Sequence, residues 1–246
     1  MKSRAFTSYG QALALNPQAF GMLVFEPPTP PESRDVGAGV HVVDVRGPLM
    51  HHADPFCDSY DAIKARVLGA LEAGARSVVL AIDSPGGLVS GMLDTATEIR
   101  AACEARGARL IAYVDGQTTS AAYALACGAP EIYAPSTGIV GSIGVIDAVI
   151  DATAQDAAIG LKYSLVASGA RKSDGNPHVP TTDATLVAAQ ARVDGLAAMF
   201  FQHVSSSRRI SVDAVAALQA GIVNGMQANA LGLTDDVLSL DQVLSL

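Results

Sequence analysis

Short apolar runs alternate along this chain with segments of helical periodicity. The segment at 41–49 is rich in β-branched residues and ends at a Gly-Pro turn, and the apolar runs at 77–83 and 109–115 have the length of buried strands. Between and before them, apolar positions in 59–73 and 89–106 recur every three or four residues, which predicts amphipathic helices. Strands that alternate with helices at this rhythm predict right-handed crossover units. The pattern therefore predicts an α/β fold in which helices flank a largely parallel sheet.

The second half of the chain continues the alternation. We expect a helix that ends at Gly128, a brief strand at 131–135, a helix at 151–160 and a strand at 162–167. A long helix should then run from a cap at Thr182 or Asp183 to about Ser206. One face of that helix carries Leu186, Val193, Leu196, Phe200 and Val204.

The beginning of the chain differs from the rest in composition. Residues 25–39 are rich in proline, glycine and charge, as in a linker or a surface arm. We therefore divide the chain into an N-terminal arm and Pro-rich linker, residues 1–40, and one folded domain, residues 41–246.

Composition and charge narrow the function. The 246 residues include 23 glycines, no tryptophan and only 5 % aromatics, which suits close packing of helices on a sheet. The formal charge of −8 argues against nucleic acid as a partner. Three scattered cysteines show no metal-ligand spacing, so we expect no metal, no cofactor and no disulfide framework. With no apparent signal peptide and no apolar stretch near membrane-spanning length, the sequence indicates a soluble, cytoplasmic protein.

Two turns carry the candidate chemistry. DSPGG, Asp83–Gly87, follows one predicted strand, and GQTTSAAY, Gly116–Tyr123, follows the next. Carboxyl ends of neighbouring parallel strands meet at one crevice, so both turns should border the same site. A Gly-Gly turn can aim backbone N–H groups at a developing oxyanion, and Ser120 begins a helix beside the free N–H of Ala121. Either motif alone could be only a turn or a helix cap; together they predict a serine nucleophile.

The base that would activate this serine is less obvious. His41, His51, His52 and His203 are better explained as surface or core residues, and His178 is the one serious imidazole candidate. Lys172 lies in the same Gly-rich polar loop as His178. A lysine can act as a base where burial disfavours its charged form, and Ser-Lys pairs are a known variant of the catalytic triad.

At these residues the chain resembles the signal peptide peptidase A (protease IV) family, serine proteases of the ClpP/crotonase-like fold. The motifs that carry the resemblance are DSPGG at 83–87, SAAY at 120–123, GSIGV at 141–145 and SGARK at 168–172. The resemblance implies that Ser120 is the nucleophile and Lys172 the general base. It also implies oxyanion donors at Gly87 and Ala121, with Gly86 shaping the turn.

SAAY, where membrane-bound members of the family typically have SGGY, together with KSDGNP at 172–177 looks like the phage branch of the family. That branch contains capsid-assembly proteases, so the expected partners are scaffold or head proteins and further copies of the same chain. Cytoplasmic signal-peptide-peptidase-like proteolysis, crotonase-type acyl-CoA chemistry and a non-catalytic capsid role remain as alternatives. The apolar residues Ala214, Val215, Leu218, Ile222 and Val223 suit either an interface or the core.

Overall fold

A largely parallel β-sheet lies at the centre of the computed structural model, which describes the backbone of Leu13–Leu15 and residues 32–246. The strands are β1 (Leu13–Leu15), β2 (Ser33–Asp35), β3 (Val40–Arg46), β4 (Leu49–Met50), β5 (Asp58–Ser59), β6 (Ser77–Ser84), β7 (Gly86–Leu88), β8 (Arg109–Thr119), β9 (Glu131–Ala134), β10 (Ile139–Gly141), β11 (Ile222–Asn224) and β12 (Asp236–Val237). The helices are α1 (Tyr60–Glu72), α2 (Met92–Ala105), α3 (Ala121–Ala126), α4 (Thr153–Ala158), α5 (Asp183–Arg208), α6 (Val212–Ala217), α7 (Gly225–Ala230) and α8 (Leu240–Leu244).

The main sheet has the order β11-β10-β8-β6-β3-β2. Its inner strands β3, β6, β8 and β10 are parallel, whereas β2 and β11 add antiparallel edges. The first part of β8 also pairs with β9, which pairs in turn with β12. The continuous apolar run of β6 follows from its position, because Val78–Ile82 are buried on both faces of the sheet. These observations confirm the predicted α/β class with a largely parallel sheet.

A second, small sheet has the order β1-β7-β4-β5 and lies beyond the carboxyl end of β6. Strands β4 and β5 are parallel, and Leu49 of β4 pairs with Gly87 of β7. β1 pairs antiparallel with β7. The sequence pattern predicted only a turn at Gly86 and Gly87, so the strand β7 is a feature that the pattern did not reveal.

Local signals explain most of the helix boundaries. The hydroxyl of Ser59 accepts a hydrogen bond from the N–H of Ala62 and caps α1. Thr182 caps α5 in the same way, as predicted, through the N–H of Thr185. Helix α2 begins at Met92, three residues later than the pattern indicated, because β7 and the turn at Gly91 come first.

Other expectations need correction. Residues 162–167 form neither strand nor helix, so the predicted strand there is wrong. The face expected along α5 is buried only towards its C-terminal end, at Phe200 and Val204, while Leu186 is 49 % exposed. Within the predicted arm, residues 33–35 form β2 and pair with β3. The predicted linker from residue 25 lies partly outside the described residues.

Among the described residues, α5 is the one helix whose length and composition would suffice for a membrane span. The expectation that no apolar stretch reaches that length therefore does not hold for α5. Composition of this kind is weak evidence, and the C-terminal part of α5 packs into the hydrophobic core through Phe200 and Val204. These contacts make α5 part of the folded domain.

Candidate active site

The two predicted turns meet at the carboxyl ends of β6 and β8. Ser84 pairs with Thr118 across the sheet, and the N–H of Gln117 donates to the Asp83 carboxylate at 3.1 Å. Gly116 permits this contact, since its φ is +119° and an added Cβ would stand 2.7 Å from that carboxylate. Helix α3, which begins directly after Ser120, packs against β7. The structure thus brings DSPGG and GQTTSAAY together, as the strand order predicted.

Ser120 has the geometry of a strained turn between β8 and α3. Its backbone has φ 57° and ψ −123°, in a region that residues other than glycine rarely adopt. The N–H of Ser120 donates to the Gly141 carbonyl at 2.8 Å, which holds the turn in place. The Ser120 side chain does not cap α3, so the alternative reading of Ser120 as a helix cap has no support in the structure.

The Ser120 hydroxyl is buried and unpartnered. The residue is 1 % exposed, and its Oγ makes no hydrogen bond within the described part of the chain. A buried polar group without a partner destabilises a protein by about 1–3 kcal/mol, so such groups are rare. An unpaired hydroxyl at this position is what a reactive serine would require.

Strand β7 lies beside Ser120 and depends on its glycines. An added Cβ on Gly87 would stand 1.9 Å from the Leu49 carbonyl oxygen, so the strand pairing with β4 excludes any larger residue. Gly86 has φ 98° and donates its N–H to the Ser84 hydroxyl at 3.2 Å. The Tyr60 hydroxyl donates to the Leu88 carbonyl at 2.5 Å and fixes the far end of β7.

The two residues predicted as oxyanion donors, Gly87 and Ala121, lie on β7 and at the start of α3. The N–H of Ala121 has no intrahelical acceptor because it belongs to the first turn of α3. This chain has Ala121 where the SGGY motif has glycine, and an alanine keeps the same backbone N–H. Gly87 has no side chain to obstruct the approach of a carbonyl group to β7.

Helix α3 is anchored from behind by buried hydrogen bonds. Tyr123 donates its hydroxyl to the Leu233 carbonyl at 2.7 Å. From α5, Nε2 of His203 donates to the Ala124 carbonyl at 2.9 Å, and the Ser207 hydroxyl donates to the Cys127 carbonyl at 2.6 Å. Burial lowers the pKa of His203, which keeps the imidazole neutral. His203 is therefore a structural residue, as the sequence indicated.

The GSIGV motif holds the backbone of Ser120 from the neighbouring strand, through the Gly141 carbonyl. Gly141 of β10 has φ 127°, and an added Cβ would stand 2.3 Å from the Gly221 carbonyl oxygen. Ser142 follows with a positive φ and donates its N–H to the same carbonyl at 2.9 Å. Sequence reasoning used this motif only for recognition; its contact with the Ser120 backbone came from the structure.

Lys172 makes no hydrogen bond to Ser120 within the described part of one chain. Lys172 is exposed, in a turn of the loop before α5, whereas Ser120 is buried and its Oγ has no hydrogen-bond partner among the described residues. The site that one chain assembles therefore contains Ser120, Ala121, Gly86 and Gly87, but not the predicted base.

The competing imidazole, His178, is engaged elsewhere. Its Nδ1 lies 2.9 Å from a carboxylate oxygen of Asp156 in α4, and its ring stacks on Tyr163 at 4.0 Å between centroids. The N–H of Thr181 donates to the Asp151 carboxylate at 3.0 Å. These contacts hold the loop that carries Lys172 against α4, and they give His178 a positioning role.

The cysteines offer no rival nucleophile. Burial raises the pKa of Cys127 to about 12, and burial likewise raises the pKa values of Cys57 and Cys103 to about 11. A thiol reacts as its thiolate, which these shifts disfavour. Among the described residues, no group of three or more His, Cys, Asp or Glu side chains is placed to hold a metal ion.

A cavity of about 840 Å³ adjoins the end of β7. Its lining is mostly apolar and includes Leu88, Met92, Leu196 and Met199. His51 also lines it, with Nδ1 2.9 Å from the Ser90 hydroxyl.

The chain is similar to known proteins over most of its length. The model of peptidase family S49 matches residues 102–246. The head-tail preconnector protein GP5 of Enterobacteria phage P21 is 30 % identical over 213 residues, covering 84 % of this chain and 42 % of the relative. Capsid assembly protease C of Escherichia phage lambda is 30 % identical over 218 residues, covering 86 % and 49 %. This chain thus spans less than half the length of each phage relative.

Similarity extends beyond phages and to solved structures. A putative protease of Methanocaldococcus jannaschii is 28 % identical over 163 residues, covering 66 % of this chain and 52 % of the relative. The ClpP protease catalytic domain from Plasmodium falciparum aligns with a TM-score of 0.48 at 10 % identity, covering 81 % of this chain and 85 % of that one.

Proposed function

This chain belongs to peptidase family S49, and from that premise we propose that it is a serine endopeptidase in which Ser120 attacks the peptide carbonyl. The observation that carries the proposal is the state of Ser120: a strained backbone, a buried hydroxyl without a partner, and a glycine strand alongside. Membership of a peptidase family favours peptide hydrolysis over the acyl-CoA chemistry that the sequence alone left open.

The residues divide the reaction as follows. The neutral amine of Lys172 takes the proton from Ser120 Oγ, and a bond forms between Oγ and the carbonyl carbon. The N–H groups of Gly87 and Ala121 donate to the oxyanion. The intermediate then expels the amine product, which receives the proton from Lys172. Water, deprotonated by the same lysine, hydrolyses the acyl-enzyme and restores Ser120.

Lys172 reaches Ser120, on this proposal, from a second copy of the chain. Support comes from the surface around the lysine. Residues 146–166, here named the apolar segment, expose a set of large hydrophobic side chains that one chain leaves uncovered. They are Ile146, Ile150, Ile159, Leu161, Tyr163, Leu165 and Val166. Such a concentration of exposed apolar groups is typical of an interface. Contact there would also bury the lysine and disfavour its charged form.

The proposed substrates are proteins of a phage head, including scaffold proteins. This part of the proposal is supported by the two phage relatives, of which one is a capsid assembly protease. It places the protein where heads assemble, in the host cytoplasm or in the virion precursor. A net charge of −8 supports a protein substrate rather than a nucleic acid.

Mixing two inactive variants tests both the dyad and its assembly. Ser120→Ala and Lys172→Ala should each lower the rate at which a co-expressed head or scaffold protein is cleaved by a factor of about 10³ or more. When the two variants are co-expressed, mixed assemblies contain sites with a Ser120 from one copy and a Lys172 from another. Cleavage should then return to a measurable fraction of the wild-type rate.

The control is Lys64→Ala, a lysine of α1 outside the apolar segment, whose side chain forms a surface ion pair with Glu98. It should keep full activity. Cleavage by Lys172→Ala alone would refute the assignment of the base. If neither single variant cleaves and the mixture is also inactive, the two residues act within one copy and the proposed sharing between copies is refuted.

A further inference from the structure

The N-terminal part of the chain reaches the strand beside the nucleophile. β1 runs antiparallel to β7, and Leu13 pairs with Leu88, Ala14 with Gly87 and Leu15 with Gly86. The other edge of β7 is already used by β4. β1 therefore occupies the edge of β7 that the rest of the small sheet leaves open.

That edge is where an extended polypeptide would bind next to Ser120. Adding a strand to an open edge is a general way to hold a peptide, because backbone groups supply the hydrogen bonds whatever the side chains are. β7 suits the purpose, since it contains Gly86 and Gly87 and packs against α3, the helix that follows Ser120. The residue of β1 opposite Gly87 is Ala14.

We infer that β1 is an internal ligand of the β7 edge. It competes there with polypeptide substrates, which would pair with the same edge. The inference rests on the proposed function for the identity of the competitor, but the pairing itself does not. In this arrangement Ser120 is 1 % exposed, and β1 holds the edge of β7 at which a substrate strand would pair. A substrate gains access when β1 leaves the edge.

The physical balance permits such an exchange. A tethered segment acts at an effective concentration on the order of millimolar, which favours occupancy by β1 in the free protein. Yet β1 has only three residues, and a pairing of that length is weak. A substrate that pairs over a longer stretch can displace it. The sequence of β1, Leu-Ala-Leu, is uncharged and apolar. We therefore expect apolar substrate segments to compete best with β1 for the β7 edge.

Hydrogen exchange tests the pairing without any catalysis. In the full chain carrying Ser120→Ala, amides of Gly86–Leu88 are measured with and without the pair of changes Leu13→Pro and Ala14→Pro. Successive N–H groups of a strand point to opposite sides, so one of these prolines removes a donor to β7. Exchange should rise by about tenfold or more at whichever of the Gly87 and Leu88 amides donates to β1, whereas Gly86, whose N–H donates to the Ser84 hydroxyl, serves as an internal reference.

Ala19→Pro is the matched control, because it places a proline in the same N-terminal segment but outside β1. It should leave exchange at Gly86–Leu88 unchanged. If the double variant and Ala19→Pro both exchange like the parent, β1 is not a ligand of the edge and the inference is overturned. A synthetic peptide with the sequence of residues 9–18, added to the double variant, should restore slow exchange at Gly86–Leu88; failure to do so would also count against it.

Two covalent probes separate this inference from the proposed function. A small fluorophosphonate reports only whether Ser120 reacts, whereas a Leu-Ala-Leu phosphonate ester must also use the β7 edge. With an intact Ser120, the peptide probe should label the Leu13→Pro/Ala14→Pro protein about tenfold faster than the wild type or Ala19→Pro. Equal rates would overturn the competition while leaving the nucleophile in place. Slow exchange at Gly86–Leu88 with no labelling of Ser120 by either probe would support the pairing and overturn the proposed function.

Discussion

Single residues at the candidate site depart from ordinary stability rules. Ser120 combines a positive φ with a buried hydroxyl that has no partner among the described residues. Each feature destabilises the folded state and so lowers the free energy of unfolding. Sequence reasoning could identify Ser120, Ala121, Gly86 and Gly87, because strand order alone places two such turns at one crevice. It could not predict the close approach of Leu49 to Gly87, since that contact joins separate strands of the small sheet.

If Ser120 is strained for function, removing the strain should stabilise the protein. Ser120→Ala removes the unpartnered hydroxyl but keeps the backbone strain, and Ser120→Gly removes both. We expect the free energy of unfolding to rise by about 1 kcal/mol for Ser120→Ala and by about 1 kcal/mol more for Ser120→Gly. Urea unfolding at one protein concentration measures both values. A Ser120→Gly protein less stable than the wild type would contradict the strain argument.

At the scale of secondary-structure elements, the sequence pattern predicted the buried strands and long helices correctly but failed for two strands. The buried strands β3, β6 and β8 and the helices α1 and α2 were readable because periodicity and length both indicate them. The segment 162–167, expected to be a strand, has apolar residues but no partner strand within the described ranges, and a strand without a partner is not stable. Conversely, β7 has no periodic pattern, and it exists because β4 and β1 pair with it.

The position of β7 relative to Ser120 should depend on Tyr60. Its buried hydroxyl donates to the Leu88 carbonyl, and Tyr60→Phe would leave that acceptor unsatisfied. We expect the free energy of unfolding to fall by about 1–2 kcal/mol and kcat/KM for a peptide substrate to fall several-fold. Tyr133→Phe is the control, because Tyr133 bonds the Glu131 carboxylate on β9, away from β7. A kcat/KM unchanged by Tyr60→Phe would show that β7 is held by other contacts.

At the scale of the whole molecule, one chain leaves much apolar surface uncovered. The fold class predicted assembly, and the residues first considered for an interface are divided: Val215 is fully buried and Leu218 and Val223 pack against the core, whereas Ile222 is 42 % exposed. Seven exposed hydrophobic side chains lie in the apolar segment, and Val187 in the first part of α5 is 70 % exposed. A sequence pattern cannot separate these cases, since core and interface use the same residue types.

The apolar segment should therefore control both assembly and activity. Val166 is fully exposed in one chain, so Val166→Glu has no core contact to break and should change the stability of the monomer by less than about 0.5 kcal/mol. In an interface, however, the added carboxylate would have to be desolvated. We expect light scattering to show a shift to smaller assemblies, and substrate cleavage to fall by about tenfold or more because Lys172 no longer meets Ser120 of a second copy. Ala101→Glu adds the same charge on the exposed face of α2 and should leave both properties unchanged. Wild-type assembly and cleavage in Val166→Glu would place the interface elsewhere and would remove the main physical support for a site shared between copies.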